Sequence, residues 1–353
     1  MRSKTLTLFT AMILWVALAL SVQLSAQTIT TIDPPGSILT QPSSINQAGA
    51  ITGFYQDAGF NTHGFLRDAK GSFTSFDAPG SISTQPNSIN QPGAITGFYL
   101  DNVSSNTHGF LRDAKGTIIT IDATPTSTYT NATSINQGGI ITGYWADPGI
   151  FPNTNCFLRA ADGAISTFNP PGAITSNGLA INNDGVIAGY YLDAKFVAHG
   201  FVRAADGTIT TIDAPGAGTG FFQGTFANAI NPAGTITGYY TDSSFGPYHG
   251  FVRAGDGTIT TFDPPNSQNT NPGTINPAGA IAGYYCEANF TCHGFVRAKG
   301  TFTSFDPPGS ILTFGFANNN QVPVGMNPAG AITGSYFTPG NPFAQQHGFL
   351  RTP

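Results

Sequence analysis

The segment Ser44–Arg67 reads SINQAGAITGFYQDAGFNTHGFLR, and its landmarks return along the chain at intervals of about 45 residues. An Asn after Ile or Met, an Arg that ends a His-Gly-Phe-Leu/Val-Arg run, and an Asp or Asn that closes a Thr/Ser-Phe/Ile step each occur seven times. The asparagines are Asn46, Asn90, Asn136, Asn182, Asn231, Asn276 and Asn327; the arginines are Arg67, Arg112, Arg159, Arg203, Arg253, Arg297 and Arg351; the closing residues are Asp33, Asp77, Asp122, Asn169, Asp213, Asp263 and Asp306. Self-similarity at a fixed period is typical of repeat architectures.

One repeat unit divides into four short β-prone runs. In the first unit these runs are Ser44–Asn46, Ala50–Tyr55, His63–Arg67 and Ser72–Asp77, and most of the links between them contain Gly. Short Gly-containing links between such runs indicate hairpins. Four antiparallel strands in about 45 residues is the content of a β-propeller blade. No stretch after residue 26 combines helical periodicity with helix caps, so we expect no helix there.

Each end of the chain carries part of a unit. The chain begins, after residue 26, with a lone fourth strand, Thr28–Asp33, and stops at a third strand, His347–Arg351. A ring in which the N-terminal strand completes the last blade leaves no open strand edge. The sequence therefore predicts an all-β fold, a seven-bladed β-propeller of four-stranded antiparallel blades closed by the N-terminal strand. A linear β-solenoid is the alternative, but it gives no reason to split a unit.

Residues 1–26 have the features of a secretory signal peptide. Arg2 and Lys4 precede the apolar stretch Leu8–Leu20, and Ala26 ends a plausible cleavage site. An uncleaved membrane anchor is the alternative, although the apolar stretch is shorter than the ~20 residues that a span needs. We expect residues 27–353 to form one propeller domain with no membrane span, secreted or periplasmic.

The composition excludes some classes of function. Charged residues make up 9% of the chain and its net charge is −5, which is not the basic footprint of a nucleic-acid binder. The sequence contains no Gly-x-Ser-x-Gly, His-Glu-x-x-His, Cys-x-x-Cys or phosphate-loop motif. We therefore predict no catalytic residues and no cofactor, and we expect a monomer.

Two of the three cysteines are close in sequence. Cys286 and Cys292 flank a hairpin loop, Glu287–Thr291, and an exported protein meets an oxidising compartment in which a disulfide across that loop would form. Metal binding by these cysteines and His293 is the alternative. Cys156 would be left free.

The repeat resembles a known family. The His-Gly-Phe-Leu/Val-Arg runs beside Ile-Asn-x-x-Gly-x-Ile-x-Gly-Tyr are similar to the HAF repeat of extracellular bacterial proteins, with Gly here in place of the Ala of His-Ala-Phe. The resemblance covers residues 28 to 351 and implies an exported bacterial protein, but no established reaction. The third unit departs from it, with Asn155-Cys156-Phe157 in place of His-Gly-Phe.

Two sets of polar residues recur with the repeat. The histidines are His63, His108, His199, His249, His293 and His347, and the acids that follow the second strand are Asp57, Asp101, Asp147, Asp193, Asp242 and Glu287. A catalytic His is normally singular, so we interpret the histidines as structural. The acids are expected to cap their loops and to bond the His across the hairpin. The alternative is an acidic ring that attracts Ca²⁺ or a cationic partner, with further loop oxygens completing any Ca²⁺ site.

The links at one face of the predicted propeller vary between units, and they carry aromatic residues. The candidate binding residues are Phe221, Phe222 and Phe226 in the link 216–228, Phe314 and Phe316 in the link 309–324, and the loop aromatics Tyr129 and Tyr248. Variable loops on a rigid scaffold are the usual place for binding sites, and aromatic side chains are the usual anchors. The alternative is that these rings pack down and order their own loops.

Two functional hypotheses follow from these patterns. The first is a secreted non-enzymatic binding or structural module that presents its variable face to a glycan or a protein. The second is a secreted polysaccharide hydrolase or lyase, which rests on analogy with other propellers alone. A cluster of non-repeated polar residues around the central channel would favour the second.

Overall fold

The structure is a computed structural model that describes residues 27–149, 153–243, 246–311, 325–339 and 345–353. All regular structure in these residues is β-strand. Within them, no helix is long and apolar enough to cross a membrane. The signal peptide predicted for residues 1–26, and Phe314 and Phe316, lie outside the described residues.

The strands follow the repeat, four to a unit. We number units 1 to 7 by their first strands, which are β2 (Ser37–Ile45), β6 (Ser81–Ile89), β10 (Tyr129–Ile135), β14 (Thr175–Ile181), β18 (Gly224–Ile230), β22 (Ser267–Ile275) and β26 (Gly325–Met326). The second strands are β3 (Ile51–Asp57), β7 (Ile95–Asp101), β11 (Ile141–Ala146), β15 (Ile187–Leu192), β19 (Ile236–Thr241), β23 (Ile281–Glu287) and β27 (Ile332–Thr338). The third strands are β4 (Thr62–Arg67), β8 (Thr107–Arg112), β12 (Asn155–Arg159), β16 (Ala198–Arg203), β20 (Tyr248–Arg253), β24 (Cys292–Ala298) and β28 (Gln345–Thr352). The fourth strands are β5 (Phe73–Phe76), β9 (Ile118–Ile121), β13 (Ile165–Phe168), β17 (Ile209–Ile212), β21 (Ile259–Phe262), β25 (Thr301–Phe305) and, for unit 7, β1 (Thr28–Thr31).

Strand pairing joins the units into one sheet of 16 strands and one of 12. Pairing is antiparallel within a unit, and a parallel bridge such as Thr62 to Ser83 joins a third strand to the first strand of the next unit. The strand β1 pairs antiparallel with β28, with Thr28 opposite Thr352. The first and last described strands of the chain therefore lie side by side.

The first strands are longer than the sequence indicates. We expected the first run of unit 1 to begin at Ser44, but β2 begins at Ser37 and contains Pro42. The register shifts between Pro42 and Ser44. A proline cannot donate a ladder hydrogen bond but is tolerated at such a bulge, so the strand continues through Pro42.

The motif residues of each unit build the core. The Phe of the His-Gly-Phe run is fully buried in units 1 to 6, at Phe65, Phe110, Phe157, Phe201, Phe251 and Phe295. The Gly of the Ile-x-Gly run permits close strand contact, because a Cβ at Gly53 would lie 2.2 Å from the carbonyl oxygen of Gln41. The buried Phe and the Gly together therefore determine how closely the strands of each unit pack.

The repeated asparagines join neighbouring units. Each side chain is buried and lies at the turn after a first strand. Asn46 accepts a hydrogen bond at Oδ1 from the Ala50 amide and donates from Nδ2 to the Asn90 carbonyl, at 3.0 and 3.2 Å. The same donation runs from Asn90, Asn136, Asn182 and Asn231 to the next asparagine along the chain. Asn327 donates to the Asn46 carbonyl at 3.4 Å. We call these contacts the asparagine series.

The repeated arginines also contact the preceding unit. The Arg112 guanidinium lies 4.8 Å from the centre of the Phe76 ring, and Arg203 lies at the same distance from Phe168. Such cation–π contacts contribute about 0.5–1 kcal/mol, and more when they are shielded from water. The Asn and Arg landmarks therefore both contribute to the contacts between units.

We expect the substitution Asn46→Ala to lower the free energy of unfolding by about 2–4 kcal/mol. It would leave the buried Ala50 amide and Asn90 carbonyl without their partners, and each such loss costs roughly 1–3 kcal/mol. Urea denaturation measures the effect, and the exposed neighbour Gln47→Ala is the matched control. A loss no larger than that of the control would contradict the structural role of the series.

Candidate functional site

Every repeated histidine is paired with the Asp that closes its unit. His63 Nδ1 lies 2.9 Å from Asp77 Oδ2, and His108 Nδ1 lies 2.6 Å from Asp122 Oδ1. The other pairs are His199 with Asp213, His249 with Asp263, His293 with Asp306, and His347 with Asp33. Sequence reasoning identified both sets but not their pairing. A nearly constant separation, 14 residues in units 1, 2, 4 and 5, was the available signal.

Three histidines also approach a carboxylate of the acidic set. Nε2 lies 3.5 Å from Asp57 in His63, 3.0 Å from Asp101 in His108, and 3.8 Å from Asp193 in His199. Burial lowers the pKa of His63 and of His108, but their two carboxylate neighbours outweigh it and raise both values above the ordinary range. These imidazoles are therefore held between two acids as structural cross-links.

The same three acids cap their own loops. Asp57 Oδ1 accepts hydrogen bonds from the Gly59 and Asn61 amides at 2.8 and 2.9 Å. The Asn61 side chain and amide are the largest causes that lower the pKa of Asp57 to about 2. Asp101 and Asp193 cap their loops in the same way. Carboxylates committed to their own loops are not preorganised as ligands for an ion.

The remaining acids differ from these three. Asp147 Oδ1 accepts a hydrogen bond from the Thr126 hydroxyl at 2.8 Å. Asp242 follows β19 and Glu287 ends β23. Among the described residues, no group of three His, Cys, Asp or Glu side chains is placed to hold a metal ion.

Unit 3 replaces the His–Asp pair as a whole. Asn155 takes the place of the histidine and Asn169 that of the aspartate, and Asn169 Nδ2 donates to Asn155 Oδ1 at 2.6 Å. The adjacent Cys156 is buried, and burial raises the pKa of its thiol to about 12. The sequence departure in this unit therefore exchanges one pairing for another and leaves an unreactive thiol.

The other two cysteines lie opposite each other on β23 and β24. Cys286 and Cys292 are joined by a disulfide. His293, which the alternative metal site would need, is instead paired with Asp306.

The candidate aromatic residues separate into two groups. Phe221 and Phe222 lie in a link, with 54% and 42% of their surface exposed. Their rings pack on each other and on Phe196, with centroids 4.3 to 6.0 Å apart. The placement of Phe226, Tyr129 and Tyr248 in loops was wrong, because all three lie in the strands β18, β10 and β20.

Phenylalanines also occupy the tips of three hairpin loops. Phe60, Phe196 and Phe290 have φ angles of 64°, 60° and 65°. Phe60 is 74% exposed and Phe290 is 77% exposed. A positive φ is unusual for a bulky residue, and left-handed backbone costs roughly 1–2 kcal/mol for a residue with a Cβ. These loops therefore combine backbone strain with apolar exposure on the variable face.

The chain is similar to several solved structures over most of its length. A streptogramin B lyase structure superposes with a TM-score of 0.59 at 12% identity, covering 92% of this chain and 97% of the other. An oligogalacturonate lyase in complex with manganese gives 0.63 at 10% identity, covering 92% of each chain. A Pyrococcus horikoshii acylaminoacyl peptidase gives 0.56 at 12% identity, covering 88% of this chain and 51% of the peptidase. No protein-family model and no curated protein matches the chain. At such identities the likeness shows the fold alone, which is propeller-like.

The His108 cross-link predicts a pH-dependent stability. Because the folded pKa of His108 is raised above its ordinary value of 6.5, the stabilisation is complete below about pH 6.5 and is lost as the pH rises through the folded value. We expect His108→Ala to lower the free energy of unfolding by about 1–2 kcal/mol near pH 6, and by less near pH 8.5. Thermal unfolding at both pH values tests this. His249→Ala, whose imidazole contacts one carboxylate, is the control. An equal loss at both pH values for His108→Ala would count against the cross-link.

Proposed function

We propose that this protein is a secreted, non-enzymatic binding propeller that takes a glycan or a protein on its variable-loop face. The observation that carries the proposal is a set of phenylalanines on strained loops at this face, of which Phe60 and Phe290 are exposed and Phe196 is half-buried. Phe60, Phe196 and Phe290 hold left-handed backbone that Gly would adopt without strain. Phe221 and Phe222 widen the apolar surface beside Phe196. Residues that cost stability and expose apolar surface mark interaction sites.

The polar residues support a binding role over catalysis. The imidazoles pair with the closing aspartates at 2.6 to 2.9 Å, and three of the six loop acids cap their own loops. Catalysis needs a nucleophile or an acid–base pair that is free to act on a substrate. These side chains are instead hydrogen-bonded to one another or to their own loops, and the pattern repeats from unit to unit.

We further infer that the chain forms a closed ring of seven four-stranded blades. The pairing of β1 with β28 supports this, because it places a strand from each end of the chain in one blade. The Asn327 side chain, which donates to the Asn46 carbonyl, supports it from the inner side of the units. The first strands also contact one another in sequence, and β26 contacts both β22 and β2.

We also propose export, with residues 1–26 as a cleaved signal peptide, and membership of the HAF-repeat proteins. The Cys286–Cys292 disulfide supports export, since disulfides persist in oxidising compartments. The hydrolase or lyase hypothesis remains the alternative, and the binding assay below reads product release as well as retention.

The loop-tip proposal predicts that stability and binding change in opposite directions. We expect the double substitution Phe60→Gly and Phe290→Gly to raise the free energy of unfolding by about 1 kcal/mol, because it relieves left-handed strain. The same variant should lose retention on a glycan and protein array run with Ca²⁺ and with chelator. Ser105→Gly relieves the same strain at φ 58° without removing an apolar ring, so this control should keep retention. Full retention by the double variant, or oligosaccharide release by the parent, would contradict the proposal.

Ring closure predicts that the N-terminal strand is essential to stability. Ile32 is 3% exposed, and Asp33 contacts both the His347 imidazole and the Gly348 amide. Removal of residues 28–33 should therefore lower the melting temperature by more than 10 °C, on the order of several kcal/mol of lost burial and hydrogen bonding. Differential scanning calorimetry measures the change. A deletion variant that melts with the parent would exclude closure by this strand.

A further inference from the structure

The twelve tyrosines of the chain fall into two sets of six. One set stacks on the repeated histidines and consists of Tyr55, Tyr99, Tyr191, Tyr240, Tyr285 and Tyr336. The other set, which we call the tyrosine cluster, consists of Tyr129, Tyr144, Tyr190, Tyr239, Tyr248 and Tyr284. The first set is explained by the structure of each unit, and the second is not.

The ring contacts of the tyrosine cluster form two groups along units 3 to 5. Tyr129 stacks on Tyr144 with ring centroids 5.9 Å apart. Phe226 bridges Tyr190 of the preceding unit and Tyr239 of its own unit, at 4.9 and 4.7 Å. Tyr239 then contacts Tyr248 at 5.2 Å. Of the residues predicted from the sequence to bind a ligand, Tyr129 belongs to the first group, and Phe226 and Tyr248 belong to the second.

Four members of the cluster lie on the second strands of their units. Its members on β11, β15, β19 and β23 are paired in register with the first-strand residues Asn131, Asn177, Phe226 and Asn271. Asn131 precedes Asn136 of the asparagine series by five residues, which corresponds to roughly 15 Å of strand. The cluster is thus set well away from the tight turns, toward the variable-loop end of the inner strands.

Most of the tyrosine cluster is shielded from bulk water. Burial raises the pKa of Tyr239 well above its ordinary value, and the neighbouring Tyr190, Tyr248 and Tyr284 raise it further. Burial likewise raises the pKa of Tyr144, with Tyr129 as the next cause. Tyr129, Tyr144, Tyr190, Tyr248 and Tyr284 nevertheless keep part of their surface accessible. Side chains that are deeply surrounded yet accessible line a recess.

The recess offers hydrogen-bonding groups of mixed character. The Asn131 amide donates to the Tyr144 hydroxyl at 3.1 Å, and the Asn271 amide donates to the Tyr284 hydroxyl at 3.2 Å. The Tyr239 side chain is 4% exposed, and its ring packs against Phe226 and Tyr248.

Five of the six tyrosines lie on first or second strands, which carry almost no charge in units 3 to 6. The first and second strands of units 3 to 6 contain no Asp, Lys or Arg, and their one Glu is Glu287 at the loop end of β23. A charged ligand would lose its hydration there without gaining a counter-charge. The corresponding positions in units 1, 2 and 7 are Phe54, Phe98 and Ser335, so the hydroxyl-rich wall is confined to part of the chain and is not a requirement of the repeat.

We propose that the tyrosine cluster is a binding site for an uncharged oligosaccharide. This inference rests on the proposed binding function and specifies its ligand class. Pyranose rings present apolar C–H faces, which pack on aromatic faces, and hydroxyl rims, which exchange hydrogen bonds with phenol and amide groups. Sites of this kind combine an aromatic lining with a few placed polar groups.

The test is isothermal titration of the exported protein with cellohexaose, mannohexaose and N-acetylchitohexaose, and with hexagalacturonate as the charged probe. We expect at least one neutral probe to bind, and hexagalacturonate to bind at least tenfold more weakly. Tyr239→Phe removes one hydroxyl and keeps the ring, so it should weaken neutral binding about tenfold. The control Tyr240→Phe alters the adjacent residue on the opposite face of β19, which stacks on His249, and should leave binding unchanged.

The outcomes separate this inference from the broader proposal. Binding of no neutral probe, equal binding of hexagalacturonate, or an unchanged affinity in Tyr239→Phe would overturn the oligosaccharide site. If the array then shows retention of a protein that depends on Phe60 and Phe290, the binding propeller stands without it. If no probe binds in the titration and nothing is retained on the array, both the oligosaccharide site and the binding propeller are contradicted. An ultraviolet difference spectrum of the parent protein on addition of the bound probe gives an independent readout. A change in tyrosine absorbance there cannot arise from a remote effect of the substitution.

Discussion

One side-chain amide, repeated in each unit, connects the first strands of neighbouring units in this protein. The asparagine Oδ1 holds the tight turn of its own unit, while Nδ2 donates to the backbone of the next. Local turn geometry and the contact between units therefore depend on the same group. Because the side chain is buried, neither bond can be replaced by water without rearrangement. The positions of the first strands, and everything that these strands carry, follow from this constraint.

The sequence predicted much of the fold because the repeat is built from contacts within a unit and with its nearest neighbour. The strand content, the turns after Asn46 and the pairing of the terminal strands could all be read from spacing. The length of β2 could not, because Pro42 ends a regular strand but not a bulged one. Phe226 was misplaced for a similar reason: Gly224 has a φ of 122° and a parallel bridge to Ala198, and the strand already begins there.

The candidate sites were predicted less well than the fold. The closing aspartates were recognised as landmarks, but their contact with the imidazoles needed the register of β4 with β5. The tyrosine cluster was missed because its members come from four units and are as much as 155 residues apart, from Tyr129 to Tyr284. In sequence, the second-strand tyrosines at 144, 190, 239 and 284 look like ordinary strand aromatics. Only the packing of strands from different units shows that one set of tyrosines contacts aromatic rings of its own and neighbouring units, while the other set stacks on the histidines.

The acceptor in each link of the asparagine series is a main-chain carbonyl, and this has a consequence for the evolution and engineering of the chain. A carbonyl is present whatever side chain the neighbouring unit carries, so one unit can be duplicated, exchanged or diversified without a compensating change in the next. The terminal strands meet as well, since Arg351 Nη2 donates to Gln27 Oε1 at 3.1 Å. The order in which the units are synthesised is thus separable from the order in which they are arranged, and a circularly permuted gene could begin at a different tight turn and encode the same assembly.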